Sequence, residues 1–289
     1  MKKIITFLAA IILFLPAICA DAGIYDIKPH DISTRLMRST FKIQGKNKKG
    51  TNIFGTVFIV AEQDIKDPNF GYYVLLTAAH VLEDIKDNTA TIILRRLTGD
   101  TFVKYPYSIN IRDNGKPLWV RHPKVDVAAM RVGLPKDADI HLIATNLLAT
   151  DKMLEKYEIH PGDDLLVLGY PYGQEANEAG FPILRSGKIA SFPLTPTEKT
   201  LSFLLDFPVY EGNSGGPVFL YSQNRFYGGR INLGLVKFVV GIVSREWKLT
   251  EKLKTLDEFI IREHKLGLAV IIHARFLKDL VEMLPSIDE

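Results

Sequence analysis

The stretch VYEGNSGGPVF, Val209–Phe219, sets Ser214 between Asn213 and two glycines and then returns at once to apolar residues. A serine hydroxyl is too weak an acid to attack a carbonyl unaided. It needs a histidine base within hydrogen-bond reach, an acid that orients that histidine, and donors for the developing oxyanion. Of the seven histidines, only His80 closes an apolar run on a set of small residues, in YVLLTAAHVL. Thr77, Ala78 and Ala79 permit close packing there, and Val81–Leu82 can begin a helical turn. The acid is Asp126 in HPKVDVAAMRV, which interrupts an apolar stretch where an unpaired carboxylate would be very costly. Asp113, Asp137 and Asp139 have polar neighbours that suit solvated turns.

Gly212, Gly215 and Gly216 open backbone conformations closed to other residues. In such a corner the amides of Gly212, Asn213 and Ser214 can turn inward as an anion-binding nest. Each residue alone has a plainer reading, as a turn serine, a core histidine or a turn-capping aspartate. Together they supply nucleophile, base and orienting acid. The histidines show no H-E-x-x-H or similar ligand spacing, so no metal and no cofactor is expected.

The elements that must position these residues read as short strands. TNIFGTVFIVA, GYYVLLTAA, TATIILRRL, TFVKYPYSINI and VDVAAMRVGL follow one another at the spacing of an all-β protein, broken by Gly, Pro, Asn and Asp. Leu134–Asp164 is more polar and reads as a connection. A second set follows: DLLVLGYP, PILRSGKIASF, TLSFLLDFPV, GPVFLY, LVKFVVGIVS and GLAVIIHA. Between the last two, REWKLTEKLKTLDEFIIREHK carries mixed charges and is expected to form a helical insertion. Phe276, Leu277, Leu280, Val281 and Leu284 recur at helical spacing and predict a closing amphipathic helix.

The 289 residues are 47% hydrophobic and 24% charged, a globular profile. MKKIITFLAAIILFLPAICADAG has two lysines, an apolar run and small residues, the layout of a secretory signal peptide. Its apolar core is too short for a stable membrane span. Cleavage after Ala20 or Ala22 fits the small-residue preference. Cys19 raises lipid attachment as a competing reading, which the residues before it fit poorly. The mature chain would then hold no cysteine, so an exported protein, periplasmic or extracellular, would depend on core packing rather than disulfides. Of the net charge of +3, Lys2 and Lys3 supply two, and the near-neutral remainder gives no reason to expect nucleic-acid binding.

LLTAAHV, VDVAAMRV and GNSGGPVF, in the order His, Asp, Ser, resemble the trypsin/chymotrypsin-like serine peptidases. LLVLGYPYG, RSGKIAS, FVVGIVS and LGLAVIIHARFLKDLV are similar to the protease domains of the bacterial HtrA/Deg-like group. The resemblance covers roughly residues 50–289. It implies two six-stranded antiparallel β-barrels with a C-terminal helix. The layout would be a signal peptide at 1–20, an N-terminal arm at 21–45 and the protease domain at 46–289. Within the domain, barrel 1 would span about 46–135, the connection about 136–160, and barrel 2 with the helix about 161–289. It implies Ser214 as nucleophile, His80 as base, Asp126 as orienting acid, and the amides of Gly212 and Ser214 as the oxyanion hole. Gly241, Ile242, Val243 and Ser244 would pair with the substrate backbone.

The implied activity is that of an exported serine endopeptidase acting on proteins or peptides. The alternative is a protease-like binding module without catalysis. Too few residues follow Ile272 for a PDZ domain, so regulation through one is not expected, and a homo-oligomer stays open because similar domains often trimerise through N-terminal segments. Asn213 replaces the aspartate that pairs with a new N-terminus in many digestive relatives, which argues against that mode of activation. Pro208 stands where trypsin itself has its specificity aspartate, which disfavours Lys and Arg before the scissile bond. Ile242 and Val243 lean the preference toward apolar or small residues, and His273 is a candidate carboxylate binder that also suits the start of the last helix.

Overall fold

A computed structural model describes residues 12–13, 31–63, 70–254 and 259–285. The expected signal peptide therefore lies almost entirely outside the described residues. Helix Ile32–Ser39 is capped by Asp31, whose carboxylate accepts the Ser33 amide (3.0 Å), and it buries Ile32, Leu36 and Ser39. The strand Thr40–Lys46 pairs along its whole length with Asn52–Phe58, so the first sheet begins at residue 40 rather than near 46.

That sheet runs in the order 101–110, 89–98, 40–46, 52–63, 70–77, 128–131, 120–121. Its two central strands carry apolar residues at successive positions, Val57–Val60 and Val74–Leu76, because both of their faces are covered. Val57 and Ile59 point into one core with Phe41, Ile43, Leu75, Ile92 and Leu94. Phe58 and Val60 point the other way, into a core shared with the second half.

In the second half, six strands close into an antiparallel barrel: 164–169, 183–189, 202–206, 259–273, 235–254 and 217–223, which returns to 164–169. The first half departs from the implied second barrel, since among the described residues no ladder joins its outer strands 101–110 and 120–121. The chain between them folds into its own small hairpin, Arg112–Asp113 against Lys116–Pro117, leaving only two residues for the last rung. The connection straps both halves. Ile143–Ala144 pairs with Val60–Ala61, and Leu148 bridges to Val239.

The expected helical insertion is a β-ribbon instead. Strands Leu235–Lys254 and Phe259–His273 run on past the barrel, paired out to Lys254 and Phe259. Charges that suggested a helix face pair across the ribbon, Lys248 with Glu263 (2.8 Å) and His264 with Glu251 (3.1 Å). The closing helix is Ala274–Glu282, with Phe276, Leu277, Leu280 and Val281 buried. His273 immediately precedes it and is 1% exposed; burial pushes its imidazole down to about 4. A neutral ring packed at a tilt against Phe203 is a poor carboxylate binder. No helix among the described residues is long and apolar enough to cross a membrane.

Candidate active site

Strand Phe70–Thr77 delivers His80 to the first turn of a short helix, Ala79–Asp84. Ala78 precedes that helix and has no side chain able to cap it. The cap comes from Asp126, whose Oδ1 accepts the His80 amide (3.0 Å). Asp126 gets there because Ala128 pairs with Thr77, and a tight turn (Val127 N–H to Val125 O, 3.0 Å) presents its side chain to the helix start. Its Oδ2 accepts two further bonds, from His80 Nδ1 (2.7 Å) and from Ser244 Oγ (2.7 Å). With the Nδ1 proton facing the carboxylate, a neutral imidazole has Nε2 free to accept a proton.

These contacts set the electrostatics. Burial works against the Asp126 charge, but the bonds from the His80 ring, Ser244 and the His80 amide hold its carboxyl down at about 2. Burial likewise opposes a charged His80, yet the bond to Asp126 and the charges of Asp126, Asp84 and Glu83 leave its pKa raised.

Ser214 sits on a loop docked against the first sheet by Thr56. The Thr56 amide donates to Ser214 O (2.8 Å), and its hydroxyl donates to Gly212 O (2.7 Å). Gly215 lies at φ +90°, and a Cβ there would stand 1.9 Å from Thr56 O, so only glycine allows this approach. The Glu211 carbonyl accepts the Tyr172 amide (2.6 Å). Because a trans peptide points its C=O and N–H in opposite directions, the Gly212 N–H is turned away from Tyr172. Among the described residues neither it nor the Ser214 N–H donates to a protein acceptor.

Tyr172 adopts a left-handed conformation (φ 52°, ψ 29°), which costs a non-glycine residue about 1–3 kcal/mol and persists only where neighbours hold it. Its ring packs at a tilt against Tyr210 (5.2 Å), while Arg185 Nη1 holds the Pro208 carbonyl (3.0 Å).

His80, Gly212 and Ser214 line one cavity of about 130 Å³ together with Ile53, Phe54 and Asp84. The Ser214 hydroxyl donates to the Ser244 carbonyl (2.9 Å) rather than to the imidazole. The strand residues Gly241, Ile242 and Val243 do not form an open edge. They pair with Ile271–His273 on one side, and with Pro217, Val218 and the Gly215–Gly216 backbone on the other. Ile242 and Val243 are wholly buried, so their side chains cannot wall a substrate pocket. Ser244 is where the second flank of this strand loses its ladder partner. Thr56, Tyr172 and the hydroxyl role of Ser244 escape sequence reasoning. Thr56 leaves one signal, a polar residue inside the apolar run IFGTVFIV.

The arrangement can carry out nucleophilic attack on a carbonyl, with a proton acceptor, an orienting carboxylate and two free amides in one cleft. The family model of the trypsin-like peptidase domain matches residues 55–228, more than half of the chain. Among solved structures, the active form of the Rv3671c protease from M. tuberculosis is similar at 16% identity, covering 88% of this chain and 84% of that one, with a TM-score of 0.44. The protease Anisep from Arthrobacter nicotinovorans is similar at 12% identity, covering 86% of this chain and 96% of that one, with a TM-score of 0.47. No curated protein matches the sequence.

Proposed function

Since this chain belongs to the trypsin-like peptidase domain family, we propose that it is an exported serine endopeptidase that works through Ser214, His80 and Asp126. The observation that carries this reading is the Asp126 carboxylate, which binds the His80 ring at 2.7 Å beside the cavity that His80 shares with Ser214. Ser214 Oγ attacks the peptide carbonyl as its proton passes to His80 Nε2. The oxyanion of the tetrahedral intermediate is held by the Gly212 and Ser214 amides. Collapse expels the amine, which takes the proton from His80, and leaves an acyl-enzyme. Water then repeats the sequence and frees the acid. The substrate backbone adds as a strand beginning at Ser244 and running toward Glu246, because Gly241–Val243 are already paired on both sides. Pro208 supplies no acid for a Lys or Arg side chain. Export rests on the pattern of residues 1–22.

A fluorophosphonate probe tests the nucleophile. Protein recovered from the exporting cells should label covalently in the wild type and not in Ser214→Ala, with a mass that starts at Asp21 or Gly23. Equal labelling of the Ser214→Ala protein, or none of well-folded wild type, contradicts the assignment.

The pH profile has a defined sign. His80 must be neutral to accept a proton, and its pKa is raised, so kcat/KM should fall toward acid with an inflection above about 6.5. Asp84→Asn removes one of the charges that raise it and should move the inflection toward acid. A wild-type inflection below 6.5, or an Asp84→Asn shift toward base, counts against this assignment.

A further inference from the structure

Arg95 is wholly buried, and among the described residues its guanidinium has no carboxylate as a hydrogen-bond partner. It lies between the rings of Phe41 (4.4 Å) and Phe181 (4.3 Å). Nη2 donates to the carbonyls of Met37 (3.1 Å), Arg38 (3.2 Å) and Thr40 (3.0 Å), where the N-terminal helix turns into the first strand. Nη1 donates to Gly180 O (2.9 Å) and lies 3.4 Å from the Tyr170 hydroxyl. A buried cation in such a setting needs a reason, because burying charge is costly.

Tyr170 supplies it. The side chain is wholly buried, and burial pushes its hydroxyl up to about 12, so it stays a donor within reach of Thr40 O (3.2 Å) and Gly180 O (3.1 Å). At its other end the Tyr170 amide donates to Thr56 Oγ1 (3.3 Å), the group that holds Gly212 O. Its carbonyl accepts the Gly173 amide (2.8 Å) and packs where a Cβ on Gly212 would stand 2.2 Å away. Tyr170 is thus a strut between Arg95 and the turn 170–173, whose Tyr172 amide fixes the Glu211–Gly212 peptide. Further anchors of the turn also come from the first sheet: Lys42 donates to Gly173 O (3.0 Å), and Lys42 and Lys104 both pair with Glu175. With Tyr172 left-handed, the turn keeps its shape only while these anchors hold.

We propose that Arg95, acting through Tyr170, is a positioning residue for the Gly212 amide, so that packing of the N-terminal helix corner against Arg95 sets the rate of turnover. This rests on the reading of Ser214 as nucleophile and of Gly212 as oxyanion donor. Loss of the strut frees the Tyr172 amide from Glu211 O, lets the Glu211–Gly212 peptide rotate, and takes the Gly212 N–H off the oxyanion.

The test compares purified wild type with Tyr170→Phe and Arg95→Lys on a peptide amide substrate, and measures the affinity of a peptide boronic acid, whose tetrahedral adduct places an oxygen in the oxyanion position. Displacing one oxyanion donor should lower kcat about ten- to a hundredfold, with KM within about twofold. Boronate affinity should fall by the same factor as kcat/KM, and the pH inflection should stay in place because the His80–Asp126 pair is untouched. If Arg95→Lys does not fold, Tyr170→Phe decides. Unchanged kcat in the folded variant, or lower kcat with unchanged boronate affinity, overturns the proposal while leaving the catalytic assignment intact. Absence of labelling and turnover in the wild type overturns both.

Discussion

His80→Ala should slow turnover about a million-fold while leaving KM within a few-fold and the melting temperature nearly unchanged. At neutral pH the Ser214 hydroxyl is almost wholly protonated, so attack without a base requires a high-energy alkoxide. Nothing else in the cavity can take its place. The other polar side chains on the wall are Asp84 and Glu211, and among the described residues neither is held by a second group as the imidazole is held by Asp126. The fold should survive because the His80 side chain is 37% exposed. The carboxylate it leaves also keeps two partners, the residue-80 amide and the Ser244 hydroxyl. The oxyanion amides are untouched, which is why a residual rate above the uncatalysed one is expected rather than none. Steady-state kinetics on one peptide amide, with thermal unfolding of both proteins, decides it. Activity above about a thousandth of wild type would remove His80 from the mechanism.

The three side chains proposed for catalysis stand out in the sequence because each breaks the pattern around it. Asp126 is a charge in an apolar stretch, His80 ends a strand on small residues, and Ser214 stands among glycines. What supports them was not legible, because its chemistry looks ordinary. Thr56 is a β-branched residue in a strand, as many threonines are, and only the docking of Gly212 and Ser214 onto it reveals its use. Arg95 and Arg96 are neighbours in ILRRL, and strand alternation sends one into the core and the other to solvent. Sequence alone offers no way to choose between them. The ribbon formed by residues 245–254 and 259–265 resembles a helix in sequence because mixed charges can pair along a helix face or across two strands, and the long-range register decides. Closure of a sheet is also a matter of register. That is why one closed barrel and one open sheet follow from strand patterns that look alike.

Asp126→Asn should cost about ten-thousandfold in turnover, although it changes a single atom type. The carboxylate accepts three bonds: Oδ1 from the His80 amide, and Oδ2 from both His80 Nδ1 and Ser244 Oγ. Asparagine has one acceptor and one donor. With its oxygen toward the His80 amide, its NH2 faces the ring, which answers by moving its proton to Nε2. That nitrogen then can no longer accept the Ser214 proton. With the amide reversed, the ring keeps its tautomer, but NH2 opposes the backbone N–H at the first turn of Ala79–Asp84 and the helix loses its cap. Both orientations lose, the first in chemistry and the second in position. The substitution also withdraws the charge that holds up the His80 pKa, so the remaining activity should show its inflection at lower pH than wild type. Ser244→Ala separates the two contributions of Oδ2, since it removes one donor and leaves the His80 tautomer alone; its effect should stay within about tenfold. If Asp126→Asn instead keeps more than a tenth of wild-type kcat with its inflection unmoved, the carboxylate does not set the imidazole, and its three bonds serve only to close the 122–128 turn onto the helix.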